Sequence, residues 1–141
     1  KEEADRKNQV WDDIRDRIRK DLEFVDDKTP FLIKLPTRLS ELTSEGIALS
    51  HCVGTYVNAV AEGRDIIMFI RRKDDENTPL LTVDLVKDDS GKYRIRQVHG
   101  KYNSEPTEVP QAMEFLHDWV GQRKKVDETT VSESYGALCH N

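Results

Sequence analysis

Between residues 2 and 25 the apolar side chains recur at Val10, Trp11, Ile14, Ile18, Leu22 and Val25, and nearly everything between them is charged. Steps of three and four place these on one stripe of a helix. Pro30 sets its outer limit, because the residue before a proline is pushed out of helical geometry. Phe31 to Pro36 reads as a short strand. Ser40 then reads as the cap of a helix over "ELTSEGIALS", with Leu39, Leu42, Ile47 and Leu49 available for burial. A bend at Gly46 separates it from a second helical stretch over 52–62, whose stripe is Val53, Tyr56, Val57 and Val60 and whose stop is Gly63.

The period then changes from helix to strand. "DIIMFIRR" (65–72) is a continuous apolar run, the pattern of a central strand covered on both faces. "LLTVDLV" (80–86) alternates, with Leu81, Val83 and Leu85 on one face and Thr82 and Asp84 on the other. "KYRIRQVHG" (92–100) alternates too, setting Tyr93, Ile95, Gln97 and His99 against Lys92, Arg94, Arg96 and Val98. Turn-rich connections predict an antiparallel meander. A last helix over 108–124 turns Val109, Met113, Leu116 and Val120 to the sheet, widened by Phe115 and Trp119. The fold class expected is α+β: helical segments on a small antiparallel sheet, a three-stranded meander plus a short edge strand, and a closing C-terminal helix. The domains expected are an acidic amphipathic helix over 1–27, an α+β core over 28–124 and a mobile tail over 125–141.

Charge sharpens that division. Residues 1–27 hold 7 Lys and Arg against 10 Asp and Glu, residues 28–124 hold 14 against 14, and residues 125–141 hold 1 against 3. The net charge of −5 therefore comes from the two ends. A neutral core gives no support for strong non-specific attraction to phosphates. No apolar run approaches the roughly 20 residues needed to cross a bilayer, so no membrane partner is expected. Two cysteines, Cys52 and Cys139, are too few for a disulfide framework and point to a reducing, cytoplasmic setting. A chain that starts at Lys1 reads as a piece of a longer parent.

The candidate chemistry begins at His51–Cys52. A cysteine at a helix start meets unpaired amides that favour its thiolate. Adjacent residues there diverge, so His99 at a strand end is the better-shaped base, with Gln97 or Asn103 as orienting or oxyanion donors. The competing reading is a packing role, since free cysteine commonly behaves as a small buried hydrophobe. The histidines and cysteines lack the paired spacings of structural zinc sites, so neither a metal nor a cofactor is expected. Lys92, Arg94, Arg96, the "RRK" at 71–73 and Lys101 make a candidate basic face, with Tyr93 and Tyr102 near it in sequence for stacking on single-stranded nucleic acid. The alternative is an ordinary solvated face cross-paired to Asp84.

The order "EGIALSHCVGTYVNAVAEGRDIIMFIRR", "PLLTVDLV", "RIRQVHGKYN" and a Trp-containing helix resembles the PcfJ-like family over about residues 40–120. The N-terminal helix and the tail fall outside that resemblance. The family pattern falls on Glu45, Gly46, His51, Cys52, Val53, Gly54, Tyr56, Gly63, Arg71, Thr82, Gln97, Gly100 and Asn103. His99 is not part of it, which disfavours a Cys52–His99 dyad. The resemblance implies the C-terminal domain of a protein tied to conjugation, plasmids or other mobile elements, and it supplies no reaction. The first expectation is a binding module for nucleic acid or a partner protein of such an element, with Tyr56, Arg71, Arg94, Arg96 and Lys101 as binding residues. The second is a hydrolase or transferase with Cys52 as nucleophile, served by His51, Gln97 and Asn103. The third is a purely structural domain of a larger protein.

Overall fold

The computed structural model describes residues 1–49, 53–100, 109–123 and 126–127. The N-terminal stripe forms helix α1 (Glu2–Leu22), which buries Trp11 and Leu22 and leaves Val10 exposed, while Val25 falls beyond the helix and is exposed too. The helix stops at Leu22, short of Pro30, because Glu23 turns to an extended conformation. Its carboxylate is held there, accepting from the Leu35 amide at 3.0 Å and pairing with Arg19 at 3.1 Å. The next two residues become strand β1 (Phe24–Val25), which pairs antiparallel with β2 (Phe31–Lys34). The strand predicted over 31–36 thus shortens to Phe31–Lys34 and lies inside the sheet, not at the edge the pattern predicts. Trp11 is tied to the end of β2 by its indole N–H, which donates to the Pro36 carbonyl at 2.8 Å.

Helix α2 (Ser40–Leu49) runs through Gly46 as one helix. Leu39 and Leu42 are buried, as the spacing predicts, but Ile47 is 76% exposed and Glu45 is buried in its place. A 3-10 turn (Val53–Tyr56) and the short helix α3 (Val57–Ala61) replace the expected single helix. That turn packs close against α2: a Cβ added at Gly54 would stand 3.1 Å from the Thr43 Cα. Gly63 ends α3 with φ of 74°, the left-handed stop anticipated for it.

Strands β3 (Ile66–Arg72), β4 (Leu81–Lys87) and β5 (Tyr93–His99) form the predicted meander. Among the described residues the sheet has six strands in the order β1-β2-β3-β4-β5-β6. The last, β6 (Val126–Asp127), lies parallel to β5 and falls within the segment expected as a tail; the rest of that segment lies outside the described residues. Strand β3 is buried on both faces, as its apolar run requires.

The register separates the two faces. Ile33, Ile70, Leu81, Val83, Val98, Leu85 and Ile95 align on one of them. Helix α4 (Val109–Gly121) belongs to that side, setting Phe115 against Phe31 and Phe24 at ring distances of 5.6 and 6.1 Å. The other face carries Arg71, Phe69, Ile67, Thr82, Asp84, Gln97 and His99, and α2 reaches it. One irregularity matters. The β4–β5 register shifts after Asp84, so that Asp84 opposes Gln97 while Leu85 opposes Ile95. Arg96 is the extra residue, and the simple alternation expected for β5 breaks there. Tyr93 and Ile95 join Val98 on the apolar face, while Arg96 turns to the side of Gln97.

Candidate functional site

The polar face carries two ionic clusters, both built on β4. The first surrounds Thr82. Arg71 on β3 reaches under α2 and grips Glu45 with both guanidinium ends, Nη1 donating to Oε2 at 3.1 Å and Nη2 to Oε1. The Thr82 hydroxyl donates to Glu45 Oε2 at 2.8 Å. Glu45 is 1% exposed and Arg71 5%. The guanidinium carbon lies 4.5 Å from the centre of the Phe69 ring. Burial pushes the Glu45 carboxyl above its ordinary value, and the charge and hydrogen bonds of Arg71, with help from Thr82, draw it part of the way back. A bidentate pair of this kind fixes α2 on the sheet.

The second cluster lies one step along β4. Asp84 is fully buried and Asp65, immediately before β3, is 3% exposed. Arg96 donates to Asp84 Oδ2 from Nε at 3.1 Å and from Nη2 at 2.9 Å, and Nη2 stands 3.5 Å from Asp65 Oδ2. One guanidinium thus serves two carboxyl groups. Asp65 Oδ1 accepts from the Ile66 amide at 2.9 Å. The Asp84 carboxyl is pushed up to about 8, first by burial, then by a hydrogen bond and charge repulsion from Asp65, against the pull of Arg96. The two carboxyl groups titrate together, and near neutral pH the pair retains a proton. Tyr56, from the 3-10 turn, feels both aspartates, and its hydroxyl is raised by burial and then by the Asp84 charge. The Arg96 side chain remains 43% exposed, so the cluster reaches solvent through it.

The sequence-derived candidates divide accordingly. Gln97 is half-buried on the polar face, with its Oε1 at 3.4 Å from His99 Nε2. His99 is fully buried. Tyr56 and Arg96 come together at the second cluster, and Arg94 is exposed on the same strand. Arg71 is directed inward to Glu45. Two further cations of the proposed basic face are engaged away from it: Arg72 pairs with Asp74 at 3.0 Å, and Lys73 donates to the Asp26 carbonyl at 2.6 Å, while Lys92 is exposed. His51, Cys52, Lys101 and Asn103 lie outside the described residues. Asp65 escaped the sequence reading altogether, and Asp84 entered it only as a cross-strand partner. A carboxylate inside the apolar run "LLTVDLV" is the signal that marks it, because an acid is almost never fully buried unless paired.

A family model described as PcfJ-like protein matches residues 1–114, a stretch that includes α1 as well as the segment carrying the recognisable motifs. An uncharacterized protein of Listeria innocua is 36% identical over 107 residues. The alignment covers 74% of this chain and 22% of that relative, so the chain spans about a fifth of the relative's length. No solved structure matches it significantly.

Proposed function

The chain belongs to the PcfJ-like family, and from that premise we propose that it is a binding module that takes an anionic partner, nucleic acid first, at the half-exposed rim of its polar face. The observation that carries this reading is Arg96, a guanidinium that is 43% exposed while resting on two buried carboxyl groups. Exposed Arg94 lies two residues away on β5, and half-buried Tyr56 borders the same cluster. Two guanidinium groups on one strand suit successive phosphates, and a tyrosine beside them suits a stacked base. In this reading Arg71 serves the rim from within by holding α2. The module works in the cytoplasm, as part of a longer protein of a conjugative or other mobile element.

The test is fluorescence anisotropy with a labelled single-stranded oligonucleotide across a salt series. Wild type should bind with log affinity falling as log salt rises. The double substitution R94Q/R96Q should weaken binding by about tenfold or more and flatten the salt slope by roughly 1–2. Absence of binding in wild type overturns the reading. If Cys52 then alkylates with a midpoint well below about 8.5 in a C139S background, the cysteine-enzyme reading takes its place.

A further inference from the structure

Resting on that reading of the rim, we propose that Arg96 is a proton-coupled latch: when an anionic group takes its guanidinium, Asp84 and Asp65 keep one proton between them, so that in alkaline solution binding carries proton uptake at the buried pair. The geometry is unusual in its stoichiometry. Two buried carboxyl groups share one cation, and that cation is the one group of the three open to solvent. Asp84 Oδ1 and Asp65 Oδ2 are both sealed from water and accept no conventional hydrogen bond. A proton held between the two aspartates answers that deficit, and the Arg96 charge competes with it.

The groups facing the pair set its direction. Arg96 comes from β5, Asp65 from the entry to β3 and Tyr56 from the 3-10 turn. Thr82, Gln97 and His99 share this sheet face, and Glu45 reaches it from α2. Of these, Arg96 is the cation that lowers Asp84, since Arg71 is engaged by Glu45. A ligand anion that draws Arg96 outward removes that stabilisation and leaves the carboxyl groups to each other. The proton affinity of Asp84 therefore rises on binding, and linkage requires that anion affinity fall as pH rises. Below the midpoint of the free protein, about 8, Asp84 is protonated in both states and affinity is flat. Above it the free protein loses its proton, the Asp84–Arg96 pair tightens, and the anion must compete with it.

The experiment measures oligonucleotide affinity by anisotropy from pH 6.5 to 9.5 at constant ionic strength, for wild type and for D84N. Asparagine at this position can accept from Arg96 and donate to Asp65, so D84N holds the neutral state at every pH. The dissociation constant of wild type should be level below about pH 7.5 and rise by up to tenfold per unit above pH 8, the limit for one proton. D84N should stay flat across the range and match the low-pH affinity of wild type. A D84N curve that follows wild type overturns the latch. If wild type binds no oligonucleotide at any pH, the binding reading fails, and carboxyl 13C NMR of the free protein decides the latch by itself. R96Q should then move the Asp84 midpoint upward by a unit or more. An unchanged midpoint overturns the coupling.

Discussion

The two ionic clusters share a strand, a sheet face and buried carboxyl groups, yet they are built to different standards. Around Thr82 one cation meets one anion in a bidentate pair, and a hydroxyl donates to the same carboxylate. Around Asp84 one cation meets two carboxyl groups, and two carboxyl oxygens are left without a conventional partner. The first is balanced in charge, with the Arg71 Nε its one polar atom buried without a hydrogen-bond partner. The second balances only by retaining a proton, and it stays open through Arg96. A sealed, balanced pair holds parts of a fold in place, whereas an unbalanced pair at the surface stores a charge that binding can move. The comparison therefore separates a structural knot from a candidate site without appeal to sequence motifs.

The largest effect should come from breaking the knot on one side. R71A leaves Glu45 buried without its cation and should cost about 3–5 kcal/mol in urea unfolding. The paired substitution R71M/E45M removes both charges and should recover most of that loss. If R71A and R71M/E45M are equally destabilised, the knot is not an ion pair in energetic terms.

The second cluster should respond in the opposite sense. Asp84 holds its proton to about 8 in the folded chain, whereas an unfolded aspartate releases it near 4. A raised folded value makes its contribution greatest below the unfolded value and steadily lost as pH rises toward 8. Burial raises Glu45 too, which tilts stability in the same direction. Wild type should thus lose thermal stability between pH 5 and 8. D84N should be free of the Asp84 part of that loss, on the order of 5 kcal/mol for a displacement of about four pH units, and at pH 8 should melt at a higher temperature than wild type. A D84N protein less stable than wild type at pH 8 would show that the cluster is balanced after all.

The smallest effect sharpens the comparison within the knot. T82V removes one hydroxyl donor from Glu45, which keeps both Arg71 bonds, and should cost about 1 kcal/mol in the same unfolding measurement. A loss as large as that of R71A would make the hydroxyl, not the guanidinium, the principal partner.

What the chain determined by itself is the part written in period and punctuation. The stripe at Trp11, Ile14, Ile18 and Leu22, the apolar run of β3, the meander and the stop at Gly63 follow from local spacing and turn chemistry. The resemblance to the PcfJ-like family pointed to Glu45, Arg71, Thr82 and Gln97; the last three share one sheet face, and Glu45 reaches it from α2. Tertiary structure decided the rest. Glu45 outranks Ile47 for the interior because a buried guanidinium awaits it on the sheet face beneath α2, and no helical wheel contains that partner. Val25 leaves the helix because Ile33 offers its neighbour Phe24 a strand to join. Arg96 turns toward Asp84 because the register slips by one residue, and a slip is a property of two strands together. Asp65 and Asp84 are nineteen positions apart in sequence and become a pair only when β3 and β4 align. Local spacing reports which face a residue occupies; charge balance in a buried cluster depends on which distant residues share that face, and only the folded chain fixes it.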